Sequence, residues 1–364
     1  MKILHTADWQ IGIKAVGLGA GAAREVREER FRAAERVIEV AREHAVDAII
    51  VAGDVFEHNG VDRAFVQRTA DIVSAFEGPV YLLPGNHDAL GPGSVWKHPC
   101  WGARANLKVL TRREPITALG AILYPCPYVR QQSDGNPLGW ITPQDTDLPR
   151  IGIAHGSVEH PVIGESYALI AKDACQSAGL DYVALGHWHS FTPYADSKGV
   201  CRMAYSGTHE PTAYGERDSG QVLVVDIPTR GAKPDMVRVP TAGLTWLEMS
   251  RDLRTRVDLE RLCRKLDSVP NPDRTLVRVT LSGILADGAG DILRHIESIV
   301  ATRFLSARLD TRRLHPARDG EWVSRLPPGV IREAAEVLCA KGQSDGVAAR
   351  AALELHALAM EELG

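Results

Sequence analysis

Short apolar runs alternate with longer helical patterns over the first two thirds of the chain. Strands are predicted at residues 3–7, 48–52, 80–83, 121–124, 151–154, 182–185, 203–205, 222–225 and 236–239. Several are β-branched runs bounded by Gly or Pro, which is typical of buried strands. Helical periodicity at about 23–44, 63–76 and 166–178 completes the pattern of an α/β domain, with central sheets covered by helices.

The pattern changes near Thr241. A strand from Trp246 is followed by a helix at 258–266, a strand at 276–281, a helix at 291–302 and a strand at 304–309. Two Ala-, Glu- and Leu-rich helical runs then cover 330–340 and 347–363, with a Gly-containing turn between them. We therefore predict a first domain at 1–240, a small α+β domain at 241–325 and a helical segment at 326–364.

Composition narrows the class of protein without naming a function. The 364 residues are 45% hydrophobic and 24% charged, and the net charge of -4 gives no global sign of nucleic-acid binding. The six cysteines contain no C-x-x-C pair, which argues against a thiolate zinc site and favours a reducing cytoplasm. The N-terminus lacks a signal-peptide pattern, and no apolar run approaches the roughly 18 residues of a membrane span. These features predict a soluble, cytoplasmic protein without membrane contact.

Polar residues follow five of the predicted strands. Asp8, Asp54, the run Asn86-His87-Asp88, His155 and the pair His187 and His189 all stand at carboxyl ends of strands. Open α/β sheets place their sites at this edge. A single Gly-Asp or a single histidine there is more often a turn or a structural residue. Five in succession supply oxygen and nitrogen ligands suited to two divalent cations.

With these residues, the chain resembles the calcineurin-like metallophosphoesterase superfamily. The opening from Lys2 to Trp9 and the run from Gly53 to Phe56 are similar, more narrowly, to SbcD-type DNA repair exonucleases. The resemblance is good over about the first 225 residues and looser beyond. It implies a layered sandwich of two sheets flanked by helices, followed by a capping domain and a helical ATPase-binding tail.

The resemblance also implies roles for individual residues. Asp8, Asp54 and His189 would hold a first metal, and Asp54 would bridge to a second, which Asn86, His155 and His187 complete. The two cations, Mn²⁺ above all, would activate water for attack on phosphorus. His87 would face the scissile phosphate and protonate the leaving group, and Asp88 would orient the ring of His87.

Gln10 stands where the family has histidine. Its side-chain oxygen is as many bonds from Cβ as a histidine Nε2, so it could reach the first metal as a weaker, harder ligand. Three outcomes follow: weaker binding of the first metal, a bias toward manganese or magnesium, or a dead site. The presence of the other ligands favours weaker binding.

Two further interpretations concern less patterned residues. His209 follows a Ser-Gly pair in the place of a substrate-side loop, and we assign it to substrate binding, with a turn-capping role as the even alternative. The helix from Arg24 to Glu43 mixes charges of both signs, which usually indicates a solvated face.

The leading hypothesis is a two-metal DNA exonuclease or endonuclease, the nuclease subunit of an SbcCD-like complex. Its expected partners are DNA and an SbcC-like coiled-coil ATPase, with a homodimer also open. One alternative is a small-molecule phosphodiesterase or phosphatase with the same site. The other is a non-catalytic DNA or ATPase adaptor in which Gln10 disables the first metal site.

Overall fold

Twelve strands and three α-helices form the described part of the first two thirds of the chain. The computed structural model describes residues 1–130, 135–159, 168–285, 289–316, 322–342 and 345–363. The chain divides into two units, Met1–Thr245 and Trp246–Gly364. The strands of the first unit are β1 (Lys2–Thr6), β2 (Ala48–Ala52), β3 (Val80–Leu83), β4 (Leu107–Val109), β5 (Ile116–Ala118), β6 (Ala121–Cys126), β7 (Arg150–His155), β8 (Tyr182–Gly186), β9 (Thr192–Ala195), β10 (Cys201–Tyr205), β11 (Gln221–Asp226) and β12 (Asp235–Pro240). Its helices are α1 (Ala20–Glu43), α2 (Arg63–Ser74) and the short α3 (Ala174–Ser177).

These strands form two six-stranded sheets with the orders β12-β11-β1-β2-β3-β4 and β5-β6-β7-β8-β10-β9. β1 to β4 run parallel, as do β6, β7, β8 and β10, while the remaining strands pair antiparallel at the sides. The parallel centre of each sheet therefore brings the carboxyl ends of its strands to one edge.

Apolar side chains fill the space between the sheets and cover their outer faces. Ile50 of β2 and Ala184 of β8 belong to the cluster between the sheets. Val37 of α1 and Val73 of α2 pack on the outer face of the first sheet. Alternate residues of one strand thus serve different layers, because successive side chains point to opposite faces. The predicted two-sheet α/β sandwich is confirmed.

Three short strands and one helix differ from the sequence prediction. β4, β5 and β9 were not predicted, and all three lie at sheet edges, where their burial is partial. An edge strand pairs with only one neighbour and is partly exposed, so its sequence lacks the continuous apolar run by which a buried strand is predicted. The helix predicted at 166–178 is wrong over its described part: only Ala174–Ser177 is helical, and Ile170 forms a β-bridge with Val158. Its first two residues lie outside the described residues.

The second unit contains a three-stranded sheet in the order β13-β14-β15. The strands are β13 (Thr245–Leu253), β14 (Thr275–Leu285) and β15 (Ser306–Pro316), and the helices are α4 (Arg256–Asp267), α5 (Gly290–Thr302), α6 (Trp322–Arg325), α7 (Val330–Lys341) and α8 (Gly346–Leu363). A capping box between Thr255 and Asp258 begins α4. The finer division at residue 325 stays a prediction. Among the described helices, none has the length and apolar character needed to cross a bilayer.

Candidate metal centre

The two sheets together bring five strand ends to one place. Asp8 lies two residues beyond β1, Asp54 two beyond β2, and His155 is the last residue of β7. One donor atom each from Asp8, Asp54 and His155 lies within 4.8 Å of the other two, and all three residues are buried. His155 is more than 100 positions from both aspartates in the chain, yet the three residues form one cluster, as the strand-end pattern predicted.

His155 is surrounded by acceptor atoms. Its Nδ1 lies 2.9 Å from the carbonyl of Ala52, which can only accept, so Nδ1 carries a proton and donates it. Its Nε2 lies 2.8 Å from Oδ1 of Asn86 and 3.3 Å from Oδ2 of Asp54. With Nδ1 protonated, the position between Nε2 and these two oxygens suits a proton or a cation.

The shifted pKa values of His155 and Asp54 also indicate that the cluster favours a positive charge. Burial alone would lower the pKa of His155, but Asp54 and Asp8 raise it to about 9. Burial alone would likewise raise the pKa of Asp54, whereas His155 and His87 lower it to about 2. The two buried carboxylates thus create a negative potential that favours any positive charge placed among them. The donor set of carboxylate, amide oxygen and imidazole fits divalent cations.

Asp8 connects the two sheets through its carboxylate. Both of its oxygens accept a hydrogen bond from the backbone N–H of His187, each at 3.0 Å. The backbone N–H of Asp8 donates to the carbonyl of Gly53 at 3.1 Å. Burial is the main cause that raises the pKa of Asp8. The turn after β1 is therefore fixed to the strand ends of both sheets.

Four candidate site residues have a positive backbone φ angle. The angles are 54° for Asp8, 45° for Gln10, 52° for Asp54 and 109° for His187. Residues with side chains rarely adopt these conformations, and such strain concentrates at functional sites. Gly53 shows how tight the packing is: a Cβ there would lie 2.1 Å from Nδ1 of His155, so only glycine fits.

The two histidines after β8 are held in different ways. The ring of His187 meets that of His155 edge-on, with centroids 5.2 Å apart. Nδ1 of His189 lies 2.9 Å from Glu216 and 3.0 Å from the hydroxyl of Thr212, which leaves Nε2 as its donor atom. Burial opposes a positive charge on His189, yet Glu216 and Asp8 raise its pKa. A carboxylate behind a histidine is the usual second partner of a metal-ligating ring.

The structure places His87 at the rim of the cluster, with 41% of its side chain exposed. Its backbone N–H donates to Oδ1 of Asp54 at 2.9 Å, and its Nδ1 lies 2.9 Å from the carbonyl of Glu57. Nε2 lies 3.9 Å from Oδ2 of Asp54. The ring is thus oriented with Nε2 next to the cluster, where a substrate phosphate could meet it.

The predicted contact between Asp88 and the ring of His87 is wrong. The Asp88 carboxylate instead accepts the backbone N–H groups of Gly85 at 2.7 Å and Phe56 at 3.1 Å. The carbonyl of Glu57 takes the position beside the ring. Burial, with Asp54 nearby, raises the pKa of Asp88 to about 7. Asp88 therefore joins the loops after β2 and β3, and its effect on His87 passes through the backbone.

Gln10 lies at the cluster, but its side chain directs the amide NH₂ group, and not the amide oxygen that could bind a metal, toward Asp54. Its Nε2 donates to Oδ2 of Asp54 at 3.3 Å. Its Oε1 is buried and has no hydrogen-bond partner. An unpaired buried carbonyl oxygen costs about 1–3 kcal/mol. Rotation of the amide by half a turn would direct this oxygen toward a cation held by the carboxylates, which makes Gln10 a geometrically suitable but weak ligand.

The assignment of His209 to the substrate is wrong. The residue is fully buried, its ring stacks on Trp9 with centroids 5.0 Å apart, and its Nε2 lies 2.9 Å from the carbonyl of Arg30. Burial, followed by the charge of Arg30, lowers the pKa of His209 well below its ordinary value. A neutral ring inside the protein fixes the loop after β10 and meets no substrate.

Arg30 is a buried residue beside the candidate centre that sequence reasoning missed. It is fully buried in α1, a helix expected to present a solvated charged face. Its guanidinium donates to the carbonyls of Asp8, Trp9, Glu210 and Pro211 and to the hydroxyl of Thr208. Arg30 thus joins the turn that carries Asp8 to the loop after β10. A signal existed, because residues 26, 30, 33 and 37 form one helical face whose other members are apolar.

Comparison with known proteins decides the family. A model of the calcineurin-like phosphoesterase family matches residues 1–191, which carry all the candidate metal ligands. The chain belongs to this family. The calcineurin-like phosphoesterase resemblance predicted from the strand-end residues is confirmed, and the protein is a metal-dependent hydrolase whose site takes divalent metal ions.

Three relatives illustrate this phosphoesterase's similarities. It is 24% identical over 322 residues to the SbcD subunit of the nuclease SbcCD from Bacillus subtilis (strain 168), covering 71% of this chain and 78% of that protein. A Thermus thermophilus protein, TT1561, is 13% identical, with a TM-score of 0.42, and the match covers 65% of this chain and 98% of that one. A dimetal phosphatase from Danio rerio is 13% identical, with a TM-score of 0.38, and the match covers 66% of this chain and 99% of that one. The assignment depends on the family match.

Proposed function

We propose that this protein is a two-metal nuclease that hydrolyses phosphodiester bonds in DNA, at ends or in single strands. The observation that carries the proposal is the buried set of acceptors formed by Asp8, Asp54, Asn86 and His155. Without a compensating positive charge, two carboxylates in this position would be costly to bury. Divalent cations supply that charge, activate a water molecule and neutralise the phosphate.

The chain's own residues have distinct proposed roles. Asp54 would contribute to both cation sites, since its Oδ2 lies 3.3 Å from His155 Nε2 and 3.3 Å from Gln10 Nε2. Asn86, His155 and His187 would complete one site, and Asp8 with His189 would hold the other. Glu216 fixes the His189 ring by accepting the proton on its Nδ1. His87 donates a proton from Nε2 to the leaving oxygen, while the Glu57 carbonyl keeps the ring in place.

Two features favour DNA over a small substrate. The nuclease subunit from Bacillus subtilis matches 71% of the chain, which is more than the first unit, Met1–Thr245, contains. The similarity therefore extends into the second unit, which small-substrate hydrolysis does not require. His87 is also half-exposed at the rim, so a long polymer can reach the cluster without entering a closed cavity.

An ATPase partner is part of the proposal. The C-terminal helices expose large apolar side chains, with Val330 81%, Ile331 61%, Val347 79% and Leu358 60% accessible. Protein-binding surfaces are built from such exposed apolar groups where they lie side by side. We propose that α7 and α8 bind an SbcC-like coiled-coil ATPase. A cytoplasmic location and a homodimer stay predictions.

The test is digestion of end-labelled double- and single-stranded DNA in Mn²⁺, beside hydrolysis of bis-p-nitrophenyl phosphate. We expect both substrates to be cleaved, with loss of both activities in Asp54→Asn. Cleavage of the small ester without any DNA cleavage would refute the nuclease and support a small-molecule phosphodiesterase.

One observation favours a second function, a non-catalytic adaptor. The Gln10 amide presents a donor, and not an oxygen, to Asp54. If this orientation persists with metal present, the first site lacks one ligand. Metal analysis separates the two functions: about two manganese ions per chain with turnover support the nuclease, whereas fewer than one ion and no turnover support the adaptor.

A further inference from the structure

Three chemically different metal-binding groups meet on two helices of the second unit. Cys263 and Asp267 lie one turn apart on α4, and His295 lies on α5. One donor atom of each lies within 4.8 Å of the donor atoms of the other two. None of these residues belongs to the candidate metal centre, and the phosphoesterase match ends long before them, at residue 191.

The spacing of the donors agrees with tetrahedral zinc. Zinc–sulfur and zinc–oxygen bonds of about 2.3 and 2.0–2.2 Å place the two donor atoms about 3.5 Å apart. The Sγ of Cys263 lies 3.7 Å from Oδ2 of Asp267. A thiol–carboxylate hydrogen bond would explain this pair alone. It would not explain the imidazole of His295 at the same point, brought there from the other helix.

The surroundings leave the donors accessible. A groove of about 360 Å³ between the helices is lined by Cys263 and His295, and also by Glu260 and Asp291. Three arginines lie nearby: Arg256 pairs with Glu260 at 3.1 Å, Arg264 lines the groove, and Arg303 lies 3.7 Å from Oδ1 of Asp267 itself. The second carboxylate oxygen of Asp267 faces the thiol.

We propose that Cys263, Asp267 and His295 form a separate zinc site that joins α4 to α5, with water at the fourth position. Thiolate and imidazole together favour Zn²⁺ over Mn²⁺ and Mg²⁺. The absence of a C-x-x-C pair argued against a thiolate zinc site in the sequence. A site with one thiolate and mixed donors from two helices needs no such pair.

Binding requires the loss of one proton. Burial, followed by the neighbouring Asp267, raises the pKa of the Cys263 thiol. The thiol is therefore protonated at neutral pH. Zinc binding breaks the S–H bond, forms the Zn–S bond and releases the proton to solvent, with no change of oxidation state.

The experiment is a Co²⁺ titration of the full-length, reduced protein, read by the thiolate-to-cobalt charge-transfer absorption in the near ultraviolet. The described residues of the candidate metal centre include no cysteine, so this absorption does not report cobalt bound at that centre. We expect its final amplitude to correspond to one thiolate-bound cobalt per chain and the cobalt to be displaced by Zn²⁺. Cys263→Ser should abolish it, and His295→Gln should weaken cobalt binding more than about 10-fold.

Two variants serve as controls. Cys339→Ser removes another partly buried cysteine of the same unit and should retain the absorption. Asp54→Asn should also retain it, so that failure of the nuclease proposal and failure of the zinc proposal are distinguishable. No absorption in the wild-type protein at excess cobalt, or an absorption that persists in Cys263→Ser, would overturn the proposal.

Zinc content gives an independent measurement. After reduction and dialysis, the wild-type protein should hold one more zinc ion than Cys263→Ser, and zinc should raise the unfolding temperature of the wild type more than that of the variant. Equal zinc content in the two proteins would overturn the proposal even if both are folded.

Discussion

Two fully buried arginines, Arg30 and Arg150, perform similar structural work at different regions of the first unit. Arg150 begins β7 and donates to the carbonyls of Thr142, Ala178 and Gly179 and to the hydroxyl of Tyr124. Arg30 donates to four carbonyls and a hydroxyl around Asp8 and the loop after β10. Both satisfy backbone groups that would otherwise be buried without partners.

The difference lies in what each arginine holds. The carbonyl partners of Arg150 lie in loop segments and its hydroxyl partner Tyr124 lies in β6, all near the amino end of β7, whereas His155 ends the same strand at the candidate centre. Arg30 holds the turn that carries Asp8 and Gln10, both of which have a positive φ angle. One buried guanidinium therefore supports the fold, and the other supports the fold together with a strained ligand turn. This distinction can be tested by matched substitutions.

The largest effect is expected from Asp54→Asn. The amide removes one negative charge from the centre of the donor set and presents N–H groups to His155 and Gln10. We expect phosphodiesterase activity to fall by more than about 100-fold, because even outer partners of metal ligands contribute 10–100-fold.

Asp181→Asn is the matched control for Asp54→Asn. Asp181 is also a buried aspartate, but it binds the backbone N–H of Arg150 and the side chain of Arg230. This variant should lose stability and keep its activity per folded molecule. Equal loss of activity in both variants would contradict the assigned centre.

Arg30→Met and Arg150→Met should come next. Each leaves several buried acceptors unpaired, at about 1–3 kcal/mol for each group, so unfolding should become easier by at least about 3 kcal/mol in both. Only Arg30→Met should also weaken Mn²⁺ binding, measured by calorimetry at a temperature where both variants are folded. Arg30→Lys should recover part of the metal affinity, since it restores the charge but not the forked donors.

A smaller effect is expected from Glu210, which accepts the backbone N–H groups of Gly243 and Leu244 near Arg30. Burial raises its pKa from 4.5 to about 7. Between these values the folded state holds a proton that the unfolded state has released, so this group makes stability fall as pH rises. The slope is at most about 1.4 kcal/mol per pH unit. Urea unfolding across the window between the two pKa values should show a weaker decline in Glu210→Gln.

The smallest effect is expected from Gln10→His. A histidine would replace the unpaired Oε1 with a stronger donor atom, so Mn²⁺ binding at the first site should tighten about 10-fold while the second site changes little. Titration followed by electron paramagnetic resonance can count both sites. A large gain in turnover, from none in the wild type, would instead support the adaptor.

The sequence predicted the central strands well because their side chains are covered on both faces. It did not predict β4, β5 and β9, whose partial burial at the edges leaves polar residues among apolar ones. Family resemblance supplied the positions of Asp8, Asp54 and His155, which lie together in the structure. The resemblance did not predict which way the side chains in the loops next to these ligands point.

His209 and Asp88 illustrate this limit. Each stands next to a candidate loop in the sequence, and each is turned inward by a backbone partner from another element: the Arg30 carbonyl for His209 and the Phe56 N–H for Asp88. Adjacency in sequence does not fix the direction of a side chain at a turn. For Arg30 the direction could have been predicted, because it lies within an otherwise apolar face of α1, and such a face packs against the protein interior.

The apolar layer between the two sheets sets the distance across the donor cluster. Asp54 follows a strand of one sheet and His155 ends a strand of the other, while residues such as Ile50 and Ala184 fill the space between them. The volume of these aliphatic side chains acts as a spacer for the ligands. A larger side chain in this layer would separate the cation ligands without altering any of them, so metal geometry here depends on residues that carry no charge.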